Sequence, residues 1–385
     1  MAKILTWTAF INDLPLFNLK SSMRPTNLEV NLPQLRKNLL AIRAHVSPAK
    51  VMPMIKANAY GHGVDGVAPY LEPDVDAFGV ALVEEAIHLR SLGITKPILV
   101  AGGTLPEQVP LFLEHDLILT ASSPELLSSA EAAAESAHKK LIVHLKIDTG
   151  MERVGVHYYE AEPFLEQSLK CKHVLIEGVY THFANSEDPE LIHARQQLER
   201  FQEVLRFYEK RSLPVPIRHM ANSGAILQFP ESHMDLVRPG VMLYGIYPVG
   251  PAKTIDIAPA LRWKSRVAYS KVTLPGHPVS YGSLWQSEVE TRIVTVPCGY
   301  ADGYFRRMTN RAQVLVKGRR YPQVGRICMD QFMVNVGEDD ITVGDEVILL
   351  GDGITAYDLA EWTGTNEYEV LTNINSRVPR IYLRE

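Results

Sequence analysis

The sequence predicts an α/β protein, a (β/α)8 TIM-type barrel followed by a mainly β C-terminal domain. Three observations predict it. Eight short apolar runs alternate with helical stretches between residues 51 and 245. Those runs are nearly continuously apolar, as strands buried on both faces of a parallel sheet require. After about residue 255 the chain changes to short strands separated by Gly, Pro and Asp, with little helical pattern. An open doubly wound sheet is the rival. It usually has fewer strands and a glycine-rich nucleotide turn after the first, and no GxGxxG occurs here.

In chain order, the helix of residues 31–46 (NLPQLRKNLLAIRAHV) precedes the first strand, VMPMIK (51–56). AFGVAL (77–82) follows, with a helix that stops at Gly93, then PILVAGG (97–103). LILTAS (117–122) leads into the Ala/Glu-rich helix PELLSSAEAAAESA. LIVHLKIDTG (141–150) is the fifth strand and LIEGVYTHFAN (175–185) the sixth, with a long charged helix running to about Lys210. PIRHMANSG (216–224) and DLVRPGVMLYG (235–245) are the seventh and eighth. Downstream, RVAYSKVTL, TRIVTVPCG, QVLVKGRRYPQVGRI, QFMVNV and DEVILLG read as strands before the helix TAYDLAEWTG. The expected division is an extension at 1–23, a barrel at 24–255 and a β-rich domain at 256–385.

Composition narrows the function classes. With 46% hydrophobic and 22% charged residues the chain can bury an ordinary core. A net charge of −5 without a basic block argues against nucleic acid or an anionic membrane as partner. Cys171, Cys298 and Cys328 are far apart and show no metal-ligand spacing, which points to reduced thiols of the cytoplasm. The N-terminal MAKILTWTAFINDLPLFNLKSS is broken by Asn12, Asp13 and Pro15 before reaching signal-peptide length, and no run approaches the ~20 apolar residues of a membrane span. His62 lacks partners at metal-ligand spacing and reads as structural.

In barrels of this kind chemistry sits at the C-terminal strand ends. Here those ends carry Lys56, then Lys146 and Arg153, His182, Asn222 with Ser223, and Arg238 with Gly240. A lysine held near cations and partly desolvated has a lowered pKa and can form a Schiff base with an aldehyde. Backbone N–H groups at NSGA and at Gly240–Val241, with the hydroxyls of Ser223 and Tyr60, suit a phosphate. An aldehyde that also bears a phosphate is pyridoxal 5'-phosphate, an electron sink that acidifies a substrate Cα–H.

IKANAYGHG, KIDTGMERVG, THFANSED, ANSGA, RPGVMLYG, VSYGSLW, GYADGYFR and RICMDQ, in this order, resemble the alanine racemase family from about Arg24 to the C-terminus. That family binds pyridoxal phosphate on a barrel joined to a β domain. The resemblance implies interconversion of L- and D-alanine, supplying D-alanine for peptidoglycan. It implies two bases on opposite substrate faces, one taking the α-proton while the other returns one: Lys56, which also carries the cofactor, and Tyr281. A phenol titrates near ~10, so a tyrosine base needs a cationic environment. The family links it to a histidine and an arginine, matching His182 and Arg238. Arg238 also matches the residue facing the pyridine nitrogen.

By the same resemblance Arg153 and the Met329 backbone N–H meet the substrate carboxylate, and Asp330 helps arrange them. Tyr60, Asn222, Ser223, Gly240, Val241 and Tyr368 match cofactor-binding positions, although NEYEV around Tyr368 departs from the family pattern. Ser376 in INSRVPR stands where some members have an aromatic residue. Lys146 matches a lysine carbamylated in some members, the alternative being an unmodified lysine beside a carboxylate or bound anion. The family is a homodimer whose sites join one barrel to the other subunit's β domain, so Tyr281 is expected to act across it. Three alternatives stay open: a racemase of broader range, such as serine; a non-catalytic pyridoxal-phosphate protein, against which Tyr281 and CMDQ argue; and a related decarboxylase, whose usual cysteine pattern Cys298 and Cys328 do not follow.

Overall fold

The apolar runs become strands because each is flanked by turn residues, and most are followed by a helix that packs on the sheet. The computed structural model describes residues 24–385, and the expected extension at 1–23 lies outside them. Lys50–Val51, Phe78–Val80, Ile98–Val100, Ile118–Ala121, Leu141–Asp148, Val174–Tyr180, Ile217–His219 and Leu236–Val237 form one parallel sheet. Neighbours follow chain order, and the last strand pairs back onto the first. The seam between the first two is held by a bridge from Met54 to Gly79 and by the Ile55 N–H bond to the Gly79 carbonyl. The sheet therefore closes, which removes any free strand edge.

Alternation along closed strands sorts side chains inward and outward. The inward series begins with an apolar layer containing Met52, Leu99, Ile118 and Leu236. Two residues further along four of the strands the inward positions turn polar: Thr120, His144, His219 and Arg238, all buried. The barrel floor is thus oil and its mouth is chemistry.

The helix Leu32–Val46 is capped by Asn31, whose side chain accepts from the Gln34 N–H, and it buries Leu32, Leu35, Leu39, Ile42 and Val46. Its buried Asn38 donates to the carbonyls of Leu243 (3.0 Å) and Ala258 (2.9 Å). That ties the helix to the segment leaving the eighth strand.

A second sheet runs in the spatial order Tyr269–Thr273, Thr291–Val296, Phe332–Gly337, Arg319–Val324, Gln313–Val316, Glu346–Leu350, Leu261–Arg266, Asn27–Asn31, Arg380–Leu383. Two details differ from the sequence expectation. Residues 27–31, expected with the barrel, pair with Leu261–Arg266 and Arg380–Leu383. The reason is local: Leu28 and Val30 are buried on one face, while Glu29 pairs with Arg262 and Lys264. RVAYSKVTL, expected as one strand, is split at Val267–Ala268, because Val267 N–H bonds to Asp345 while Ala268 N–H bonds to Thr295. The chain crosses there from one neighbour to another. Among the described residues no helix is long and apolar enough to cross a membrane.

The helix Glu367–Thr372 lies directly on the turn after Lys56. Gly61 has φ +80°, and a Cβ there would sit 2.1 Å from the Leu371 carbonyl oxygen. Gly61→Ala must move that helix and strain the backbone. It should lower the unfolding free energy by about 1–3 kcal/mol, read as a lower urea midpoint at unchanged m.

Candidate active site

The strand VMPMIK leaves the sheet at Met54, and Lys56 opens a single turn, Lys56–Tyr60. Sequence alternation extended the strand to Lys56, but Ala57, Asn58, Ala59 and Tyr60 have φ values of 51, 55, 51 and 50°. Four successive left-handed residues are costly for L-amino acids, at roughly 1–2 kcal/mol each. Hydrogen bonds hold the turn: the Ala57 N–H donates to Glu85 Oε1 (2.6 Å) and the Val64 N–H to Asn58 Oδ1 (2.8 Å). The turn aims Lys56 into the mouth and buries Tyr60. Burial, then Arg153, holds the Lys56 ammonium below the usual lysine range.

The fifth strand delivers Lys146 and then a tight turn. Asp148 accepts from the N–H groups of Gly150 (2.8 Å), Met151 (2.9 Å) and Arg153 (3.1 Å), which fixes where Arg153 starts. Those amides occupy the carboxylate nearest Lys146. Lys146 Nζ donates to the Ile147 carbonyl at 3.0 Å and lies 5.2 Å from the Tyr180 ring centre. Burial, followed by Arg238, pulls its ammonium down to about 7.

Arg238 is fully enclosed, and its fork meets acceptors. Nη1 reaches His219 Nδ1 (2.6 Å); Nη2 reaches the Thr181 carbonyl (2.7 Å) and His182 Nδ1 (3.3 Å). Tyr180 lies beneath it at 5.1 Å. Burial lowers Arg238 to about 10, so it stays cationic near neutrality. Arginine only donates, so both imidazoles meet it as lone-pair acceptors. Burial first, and then Arg238, drives His182 and His219 well below the ordinary histidine value. His182, partly open to the mouth, therefore keeps its proton on Nε2.

The other side of the mouth is an anion cradle. Ser223 Oγ accepts from the Gly240 N–H at 2.9 Å, and a Cβ on Gly240 would lie 2.7 Å from the Tyr60 hydroxyl. Asn222 caps the helix Ser223–Gln228, and Val241 opens the turn Val241–Tyr244. First-turn amides have no partner within their own helix, so Ser223, Gly224 and Val241 can offer N–H groups. Tyr368 lies nearby, its ring 6.3 Å from Tyr60, and donates to Glu187 Oε1 at 3.2 Å. Apart from Glu187, which takes the Tyr368 hydroxyl, the groups of the cradle are donors, and beside a depressed lysine they fit a phosphorylated aldehyde.

Tyr281, Met329 and Asp330 fall elsewhere. They line an open concavity with Tyr300, Arg306 and Arg326, all from the C-terminal part of the chain. Tyr281 is 70% exposed and Met329 53%. The Met329 carbonyl accepts from Ala301 N–H (3.0 Å), and Arg377 joins Asp330 (2.7 Å) to buried Asp302 (2.6 Å). The structure thus gathers Lys56, Tyr60, Lys146, Arg153, His182, Asn222, Ser223, Arg238, Gly240, Val241 and Tyr368 around the barrel mouth, and places Tyr281, Met329 and Asp330 on a separate surface.

Sequence reasoning missed His219, which makes the shortest contact with Arg238, and Tyr180, stacked on His219 with centroids 4.5 Å apart and planes 7° off parallel. Both lie within strands quoted above. Counting inward positions by twos from Ile217 and Gly178 would have found them.

The fold and site define a barrel protein whose mouth, with its depressed lysine and phosphate-type cradle, fits an aldehyde cofactor. Residues 30–248 match the alanine racemase N-terminal domain and residues 260–382 the C-terminal domain. The chain is 46% identical to an alanine racemase of Carboxydothermus hydrogenoformans over 94% of this chain and 100% of that one. The alanine racemase structure from Clostridium difficile has a TM-score of 0.89 at 37% identity, covering 94% of this chain and 96% of that one. The Bartonella henselae alanine racemase structure, with covalently bound pyridoxal phosphate, has a TM-score of 0.87 at 28% identity, covering 94% and 100%. The chain belongs to the alanine racemase family.

Lys146 gives a signed test. Its folded pKa of about 7 lies below the ordinary lysine value of 10.5, so the folded state resists the charge. That penalty is complete below about pH 7 and fades as pH rises towards 10.5. Lys146→Met should therefore gain stability over wild type most at pH 6, with the gap narrowing by pH 9, in denaturant melts in bicarbonate-free buffer.

Proposed function

We propose that this protein interconverts L- and D-alanine with pyridoxal 5'-phosphate held at Lys56, as a homodimer in the cytoplasm, supplying D-alanine for peptidoglycan. The observation that carries this reading is the pairing of a desolvated Lys56 with a cradle of donors four residues away, at Tyr60. Tyr60, Ser223 and the amides of Gly224 and Val241 hold the phosphate; Asn222 and Tyr368 support the cradle. The bound cofactor supplies the electron sink that makes the alanine Cα–H acidic.

The chain's own groups do the rest. Lys56, kept below the ordinary lysine range, holds or takes the proton on one face of Cα. Tyr281 does so on the other. His182 has its Nδ1 engaged by Arg238, so its Nε2–H is free to donate to a tyrosine oxygen and stabilise it as an anion. Arg238 would hold a permanent cation towards the cofactor bound in the mouth. Arg153 and the Met329 N–H receive the substrate carboxylate, with Asp330 fixing the Met329 loop. The exposure of Tyr281 and Met329 supports sites shared between subunits, each barrel mouth closed by the other chain's concavity.

Three measurements test this. Loaded protein in deuterated water should exchange the L-alanine Cα–H while optical rotation decays; no exchange with cofactor bound would overturn the reading. Tyr281→Phe should cut racemisation about 10²–10⁴-fold. One enantiomer should still exchange its Cα–H with retention of configuration; equal residual exchange of both contradicts two bases. Mixing inactive Lys56→Ala and Tyr281→Phe chains should restore about a quarter of wild-type activity, since half the dimers carry one intact site. No restoration would place Tyr281 in its own chain's site.

A further inference from the structure

The mouth is wired to the opposite side of the barrel by a chain of hydrogen bonds that the proposed chemistry does not use. Arg238 Nη1 meets His219 Nδ1 at 2.6 Å; His219 Nε2 meets His144 Nδ1 at 2.9 Å; His144 Nε2 meets Glu177 Oε2 at 3.1 Å. His144 and His219 are buried, and the Glu177 side chain is 37% exposed. Glu177 precedes Tyr180 on its strand, so the chain descends from the mouth towards the strand's N-terminal end.

The two ends fix every proton between them. Arginine has only donors and a carboxylate only acceptors, while a neutral imidazole has one of each. One arrangement alone makes all three bonds: Arg238 N–H to His219 Nδ1, His219 Nε2–H to His144 Nδ1, and His144 Nε2–H to Glu177. Any other state sets N–H against N–H or lone pair against lone pair. The rings cannot turn to escape. His144 fills the space opposite Gly178, where a Cβ would sit 2.6 Å from its Nδ1, and Tyr180 stacks on His219 while its hydroxyl lies 2.9 Å from Thr120 Oγ1. Tautomer is the freedom that remains.

We propose that Glu177 is a positioning residue: as the terminal acceptor it locks both imidazoles as Nε2–H tautomers and thereby fixes the acceptor that holds Arg238 in the mouth. Removing that acceptor frees His144 to carry its proton on Nδ1. His219 must then reverse or break its bond, and Arg238 loses its shortest partner. The His144 hydrogen bond also holds the Glu177 carboxyl below the ordinary range, as an anchored acceptor should be. The catalytic consequence rests on the racemase reading; the tautomer consequence does not.

The test uses the full chain with ¹⁵N-labelled histidine, without and with pyridoxal phosphate. In wild type, NMR should show His144 and His219 with Nε2–H and bare Nδ1 in both forms. Glu177→Leu should give mixed tautomers and lower kcat for alanine about tenfold, with KM within about twofold. Glu177→Gln, which still offers an oxygen acceptor, should restore the wild-type tautomers and kcat to within about threefold. An Nδ1–H on either histidine of wild type overturns the proposal even if Glu177→Leu does not fold. So do unchanged tautomers in Glu177→Leu, or mixed tautomers with unchanged kcat. Wild type without racemisation sinks the functional reading alone, and the NMR result still decides the wiring.

Discussion

A guanidinium buried at the centre of a barrel mouth is the constraint around which this structure is arranged. Arg238 has no carboxylate within ion-pair distance among the described residues. Its charge is satisfied by two carbonyls, two imidazole lone pairs and the face of Tyr180. Those partners come from the sixth and seventh strands, and Arg238 from the eighth. They meet because closure places Tyr180, His219 and Leu236 in register on adjacent strands. An arginine ion-paired inside the barrel would be electrically quenched. One held by neutral acceptors keeps its field directed at the mouth.

Burial first, and then that field, set the state of its neighbours. His182 and His219 are held neutral, and Lys146 is drawn to about 7. Arg153 adds its charge beside Lys56. Asp148, the carboxylate in a position to compensate, spends its oxygens on the turn that carries Arg153. The result is a mouth with excess positive charge and unused donors, which favours a ligand with a phosphate at one end and a carboxylate at the other. The strained left-handed turn belongs to the same design. On the proposed reading it lets one short segment supply the lysine for the aldehyde and the tyrosine for the phosphate, and such strain persists where surrounding contacts over-determine it.

The barrel and its polar strand ends were legible because both follow from local pattern: buried parallel strands are apolar throughout, and each ends where its polar residues begin. The motifs placed Lys56, Arg153, Arg238 and the Ser223–Gly240 cradle at one mouth. Three things were not legible, for distinct reasons. The left-handed turn is a backbone state that KANAY permits without demanding. The strand at 27–31 is five residues long and takes its identity from partners more than 200 positions away. His219 hid within a strand: counting by twos from Ile217 marks it as inward, but its bond to Arg238 depends on how adjacent strands register.

The exposure of Tyr281 and Met329 then has a structural reading of its own. Exposed functional groups on a loose loop would have to be ordered on binding, at a cost in entropy. Here the loop is already fixed. Cys328 and Met329 carbonyls accept from Tyr300 and Ala301, and a Cβ on Gly299 would strike both carbonyl oxygens within 2.4 Å. Arg377 ties Asp330 to Asp302, which Arg24 holds from the segment leading into the first strand of the second sheet. On the proposed reading, a rigid, concave, exposed half-site is what a second subunit's mouth would need, because the Tyr281 oxygen and the Lys56 nitrogen would then be set on opposite faces of one carbon. On that reading, rigidity on both surfaces would let the subunit interface, rather than a flexible loop, define that separation.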